Sequence, residues 1–207
     1  RREARRLLEE AKAMVEVAIL EGCALPAPRE IIDGYESILD IFTLNINQRE
    51  RVAFILCDNL VELACKTKAH QRNHQFNRTC GFHAAWNAPG VQLAPNGLGA
   101  RVQGRRDTRN TMQHGSAAVT VTTANCADAI LDVRSVIDRL WQNSTNRNLT
   151  LPYKLVLQIV EMYASNGNGR QQQVFEDAMR QAQWRGMADD RKARVSEVIV
   201  EAGLRTN

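Results

Sequence analysis

AFILCDNLVELACKTK, residues 53–68, decides how this chain folds. Starting near Gln48, Val52, Ile55, Leu56, Asn59, Leu60 and Leu63 recur at intervals of three and four, the spacing of one helical stripe. The same period extends outward in both directions. Upstream, Leu7, Leu8, Ala11, Val15, Ala18, Ile19 and Gly22 line one face opposite Arg, Glu and Lys. Gly22 and the LPAP at 25–28 end that helix, because proline cannot continue one. A further helix is expected over 28–44. Downstream, Ala127, Ile130, Val133, Ile137, Leu140 and Trp141 form a strong apolar stripe, with Thr123 as its N-cap. QNSTNRN (142–148) reads as a linker. Helical patterns follow over 151–164, 170–184 and 189–202, with SNGNG (165–169) as a turn. No internal repeat and no alternation of strands with helices appears, so the expected fold class is all-α.

Between 69 and 104 the periodicity dissolves. Pro89, Pro95 and five glycines fall there, and the segment reads as a long connection with a short helix near 83–86. Helical character is expected to return near Arg105 and to stop at Gly115, followed by an extended SAAVTVTT (116–123).

Composition narrows the function classes. At 44% hydrophobic and 24% charged residues, the 207-residue chain is globular rather than disordered. Its 5% aromatic content leaves Leu, Ile, Val and Ala to build the core. A formal charge of +4 leans toward polyanionic partners. The five cysteines, Cys23, Cys57, Cys65, Cys80 and Cys126, are odd in number and lack CxxC spacing. Buried reduced thiols and a cytoplasmic location are the expectation. No apolar run is long enough to span a bilayer, so no membrane partner is expected.

The chemistry concentrates in RRDTRNTMQHG, residues 105–115. Asp107 or Thr108 suits a helix start, where the dipole favours anions. Arg109 carries a forked set of donors matched to phosphate oxygens. His114 carries an imidazole, which can take up or give a proton in catalysis. Asn110 and His114, four apart, share a helix face. Arg109 and His114, five apart, are rotated by roughly 140° about the axis. One copy therefore need not aim both groups at one substrate atom, and a pair of antiparallel helices can bring each Arg to the other's His. The alternative is an exposed basic turn. Arg101, Arg105 and Arg106 extend the positive stretch and suit an RNA backbone, or else form a solvated face.

Arg109, Asn110, three more residues and then His114-Gly115 resemble the signature of the HEPN superfamily. Residues 53–68, with Asn59-x-x-Glu62 in their middle, resemble the first core helix of HEPN domains, and 127–141 resemble the closing helix. The resemblance covers residues 48–141. It implies an antiparallel helical bundle that dimerises, flanked here by N-terminal (1–47) and C-terminal (150–207) helical extensions. It further implies a metal-independent endoribonuclease with no cofactor, in antiviral defence or a toxin system, whose composite site spans a homodimer and answers to a regulatory or effector partner domain. In that chemistry His114 serves general acid–base catalysis at the ribose 2′-hydroxyl or the leaving oxygen. Arg109 stabilises charge on the phosphate, and Asn110 orients one of the two. The products are a 2′,3′-cyclic phosphate and a 5′-hydroxyl, so the substrate must be RNA. Asn59 and Glu62 are expected to support Arg109 or His114, against a plain Glu62–Lys66 surface pair.

Two other readings compete. One is a non-catalytic HEPN-like module that binds RNA or a protein. The other is a zinc-stabilised scaffold with His70, His74, Cys80 and His83 as ligands, which would hold the long connection in order.

Overall fold

A computed structural model of the chain describes residues 26–44, 46–92, 97–114, 119–165 and Ala193. The helical patterns expected over 1–22, 170–184 and 189–202 lie outside the described residues apart from Ala193. The remainder forms α1 (Arg29–Thr43), α2 (Arg49–Arg72), α3 (Phe82–Trp86), α4 (Leu98–His114), α5 (Thr123–Leu140), α6 (Ser144–Asn148) and α7 (Leu151–Tyr163). Among the described residues there is no strand, and the class is all-α.

α2 and α5 form the centre. α5 buries Cys126, Ala127, Ala129, Ile130, Val133, Val136, Ile137 and Leu140, matching the stripe read from its sequence. Its N-cap is Thr122 rather than Thr123: the Thr122 hydroxyl accepts from the Asn125 backbone N–H at 3.1 Å. At its other end the Trp141 indole N–H donates to Gln71 at 2.8 Å, tying α5 to the last turn of α2.

The stripe expected on α2 is corrected. Its buried face is Ala53, Phe54, Cys57, Leu60, Val61, Ala64 and Cys65, while Val52 and Leu63 stand 40% and 45% exposed and Asn59 is exposed. Only Leu60 belongs to both sets. Apolar residues cover two faces of this helix, so periodicity alone does not choose between them. Close approach decides. Small Ala53 and Ala64 are wholly buried, and α1 comes in through Gly34, where an added Cβ would lie 2.9 Å from Leu60 Cδ1.

α1 contributes Ile31, Ile32, Tyr35, Ile38, Leu39 and Phe42, and the Tyr35 hydroxyl donates to the Ile130 carbonyl of α5 at 3.2 Å. α7 adds Tyr153, Leu157 and Val160 to the same buried cluster, with Arg134–Glu161 (2.7 Å) and Tyr153–Asp40 (3.1 Å) at its edges. One continuous core thus runs from α1 to α7 across positions 47 and 149.

Two segments are more ordered than their composition implies. Helix extends to Arg72 and resumes at Leu98, so the long connection is shorter than expected at both ends. It is held down by buried Phe82, Ala85, Ala88 and Val91. The 142–148 linker contains α6, whose Thr145 backbone N–H and hydroxyl both bond to Asp138 Oδ1 at 2.8 Å.

One buried charge strains this core. Lys68 is 5% exposed, with its ammonium 5.5 Å from the Trp141 ring centre. Burial, and then the Arg72 charge, pulls its pKa down to about 8. The unfolded chain therefore holds this proton more tightly than the native one. Stability tied to the site is lowest below pH 8 and rises as pH climbs toward the ordinary lysine value of 10.5. Lys68→Met should raise stability at pH 7 by about 1 kcal/mol and flatten that rise. Denaturant melts at pH 7, 8.5 and 10 check this; a variant less stable at pH 7 would contradict it.

Candidate functional site

α4 begins seven residues before Arg105, which moves RRDTRNTMQHG from a helix start into the C-terminal half of a helix. Asp107 and Thr108 are therefore not caps. Asp107 accepts from the Gln103 side chain at 3.0 Å, and the Thr108 hydroxyl donates to the Gly104 carbonyl at 3.0 Å. The helix dipole at His114, the last residue of α4, favours cations instead of anions.

At about 100° per residue, α4 divides its polar residues among three faces. Arg106 and Arg109 face α2, Arg101 and Arg105 face α5, and Asp107, Thr111 and His114 are exposed. Arg109 has three partners. Nη2 donates to Asn59 Oδ1 at 3.0 Å, Nη1 donates to Asn110 Oδ1 at 3.0 Å, and Nε lies 3.3 Å from Asp58 Oδ2. The last is an ion pair without hydrogen-bond alignment, which leaves the buried Nε otherwise unsatisfied. A guanidinium carries five N–H groups. Each terminal nitrogen of Arg109 thus keeps one N–H beyond these contacts, on a side chain already fixed in place.

Arg106 is held more tightly. Its Nη1 meets Asp58 Oδ2 at 3.3 Å and Glu62 Oε2 at 3.0 Å, while its guanidinium carbon stacks 4.2 Å from the Phe82 ring centre. Glu62 also takes Lys66 at 2.7 Å. Burial opposes ionisation of Glu62, but the hydrogen bonds from Lys66 and Arg106 win and hold its pKa below the usual value. Asn59 thus touches Arg109 directly, and Glu62 acts one arginine away.

Asp58 was not picked out by sequence reasoning, although it is the acid on which both arginines converge. Its side chain is 2% exposed. A signal existed: four arginines at 101, 105, 106 and 109 have only Asp107 as an acid among them, so carboxylates must come from neighbouring helices. The structure supplies Asp58 on α2 and Asp132 on α5. Asp132 takes Arg101 Nη2 at 3.0 Å and Arg105 Nη2 at 2.6 Å. The expected RNA-binding arginines are therefore each paired with carboxylate. Arg101 alone of the three is half exposed. A cavity of about 220 Å³, lined by Phe54, Arg101, Arg105, Thr108, Thr120 and Asn125 among others, opens on the α5 side, away from Arg109.

His114 is exposed at the end of the helix, and two residues before it the Met112 carbonyl accepts from the Arg51 guanidinium at 3.1 Å. Arg109 and His114 do not meet within one chain, in keeping with their angular offset. Among the described residues no three His, Cys, Asp or Glu side chains, His70, His74, Cys80 and His83 included, are grouped so that they could hold a metal ion. His70 and His74 instead pack edge to face, ring centres 5.4 Å apart, and His83 lies edge-on to Phe82. Cys57, Cys65 and Cys126 are buried thiols, Cys80 is partly buried, and Cys23 lies outside the described residues.

Asp58 also reveals a cost. Burial raises its pKa above the ordinary 3.8, and the nearby Arg106 and Arg109 charges only partly offset that. The native state therefore holds this proton more tightly than the unfolded chain does. Stability from this group is present at acid pH and is lost as pH rises through its native pKa. Asp58→Asn should accordingly unfold at pH 7 at a temperature no lower than the parent, whereas Asp58→Ala, which strips Arg106 and Arg109 of any acceptor there, should unfold earlier. Thermal melts of the two variants decide it; a large loss in Asp58→Asn would show that the ion pair stabilises the fold. No family model, curated protein or solved structure matches this chain.

Proposed function

We propose that this chain is a metal-independent endoribonuclease of HEPN type, needing no cofactor, that cleaves RNA through attack of the ribose 2′-hydroxyl on the adjacent phosphate. Arg109 carries the reading. Its guanidinium is fixed by Asn59, Asn110 and Asp58, yet retains N–H groups for a phosphate oxygen. Holding a donor fixed before charge develops is how an active site stabilises a transition state without reorganising. The raised pKa of Asp58 fits the same picture, since functional sites sacrifice stability for placement.

In this mechanism His114 removes the 2′-hydroxyl proton or protonates the leaving 5′-oxygen, and its exposure gives RNA access. Arg109 binds the non-bridging oxygens as negative charge grows on phosphorus. Asn110, bonded to Arg109 Nη1, keeps the guanidinium in plane with its target. Asn59 supports Arg109 directly and Glu62 supports it through Arg106. Because Arg109 and His114 occupy different faces of α4, a homodimer completes the site. Of Arg101, Arg105 and Arg106, Arg101 is the residue with exposed surface to offer a phosphate. A role in antiviral defence or as a toxin, restrained by a regulatory or effector partner domain in the cytoplasm, follows from the HEPN resemblance.

A non-catalytic HEPN-like RNA- or protein-interaction module is the competing reading, favoured by the pairing of all four α4 arginines with carboxylates. Incubation of the protein with single-stranded and structured RNAs in EDTA separates the two. Cleavage should leave 2′,3′-cyclic phosphate ends, and Arg109→Ala and His114→Ala should each reduce the rate by about 100-fold or more. Equal cleavage by parent and both variants, or none by any, ends the nuclease reading.

A further inference from the structure

From Leu63 to Arg106 the chain runs for 44 residues without an Asp or Glu, and seven of its 27 Lys and Arg and three of its four His fall there. With +7 in this stretch and +4 overall, the rest of the chain is −3. The fold sorts these cations. Lys66, Arg101, Arg105 and Arg106 are paired with Glu62, Asp132 or Asp58, and Lys68 is buried. Arg72 and Arg78 differ: both are exposed, and neither has a carboxylate partner among the described residues. Both are nevertheless braced. The stem of Arg72 lies against Gly90, where an added Cβ would come 3.0 Å from its Cγ, and Arg78 Nη2 lies 3.5 Å from the Thr67 hydroxyl. Beside them His74 and His83 expose imidazole rings that rest edge-on against His70 and Phe82.

We propose that this lobe, made of the last turn of α2, the turns after it and α3, binds single-stranded RNA. Arg72 and Arg78 take backbone phosphates, and His74 and His83 offer rings on which bases stack. Cations without carboxylate partners are free to displace the counterions of a polyanion, which is the main source of affinity for a nucleic-acid backbone. Exposed rings between them add stacking that tolerates any base. Stacking requires bases already free of a duplex, so the surface fits single strands rather than double helices.

Its place in the fold joins the lobe to the candidate site. Arg106 shares Asp58 with Arg109 and also stacks 4.2 Å from the Phe82 ring centre of α3. One side chain thus spans the gap between Arg109 and the lobe. This inference deepens the nuclease reading and rests on RNA as its substrate. It assigns that substrate a single strand reaching beyond the cleaved dinucleotide, with the flanking nucleotides held at the end of α2. It also supplies the grip that α4 lacks, since all four α4 arginines are paired with carboxylates.

Binding can be read apart from cleavage in a His114→Ala background, by fluorescence anisotropy with a labelled single-stranded RNA of about 12 nucleotides. There, Arg72→Ala combined with Arg78→Ala should weaken binding by about tenfold. It should also cut the slope of log affinity against log salt by about 1.4, the value for two phosphate contacts on a single strand. Lysine at both positions should recover the slope, and Lys154→Ala, which removes a charge from α7, should leave it as it is. With His114 intact, the double alanine variant should lose activity through a raised KM. Unchanged affinity and slope in the double variant, or no RNA binding by the His114→Ala protein at about 50 mM salt, overturns the proposal. The two readings fail separately. Binding that depends on Arg72 and Arg78, without cleavage by the parent, keeps the lobe and ends the nuclease; cleavage that needs Arg109 and His114 but ignores the lobe variants does the reverse.

Discussion

The carboxylate of Asp58 sets the geometry around α4. It lies on the inner side of α2 with almost no access to water, and it draws Arg106 and Arg109 against that helix from one side. Asp132 does the same from α5 with Arg101 and Arg105. A helix as polar as α4, with only Gly99, Val102 and Met112 buried, has little apolar surface to fasten it. Two buried acids and four arginines take the place of a hydrophobic face. Ion pairs have fixed lengths and directions, so this attachment orients α4 where a greasy face would let it slide.

The same attachment explains why the site has two characters. Arg109 is immobilised on the inner flank of α4, and His114 stands exposed at its end. A rigid donor suits charge stabilisation, and an accessible imidazole suits proton transfer. The helical offset separates them within one chain. Lys68 shows the opposite economy: a buried ammonium against Trp141 with a depressed pKa, serving no group in the candidate site.

Much of the fold was legible from period and punctuation. α1, α5 and α7 fall within a few residues of where apolar spacing and proline place them, and the buried face of α5 is the one its stripe marks. α4 was less legible, because its first turns hold two glycines and few apolar residues, so its start at Leu98 leaves no amphipathic trace. The site was half legible. Arg109, Asn110 and Asn59 do come together, and Glu62 reaches them through Arg106. Asp58 stayed hidden between Cys57 and Asn59, because an acid on a buried face declares itself only once its arginines are known.

By itself the amino-acid order determined that the chain is helical, that no helix among the described residues is long and apolar enough to cross a membrane, and that Arg109 and His114 point in different directions. Those properties follow from backbone geometry and side-chain type, which are local. Tertiary structure decided which side of α2 is interior, which arginines are paired, and that His70 packs edge to face on His74 and His83 edge-on to Phe82. Each of these depends on what another helix brings within a few ångströms. α2 offers apolar residues on two sides, and only the arrival of α1 through Gly34 and of α5 beside it selects one of them. The side left over carries Asn59 and, through it, holds Arg109.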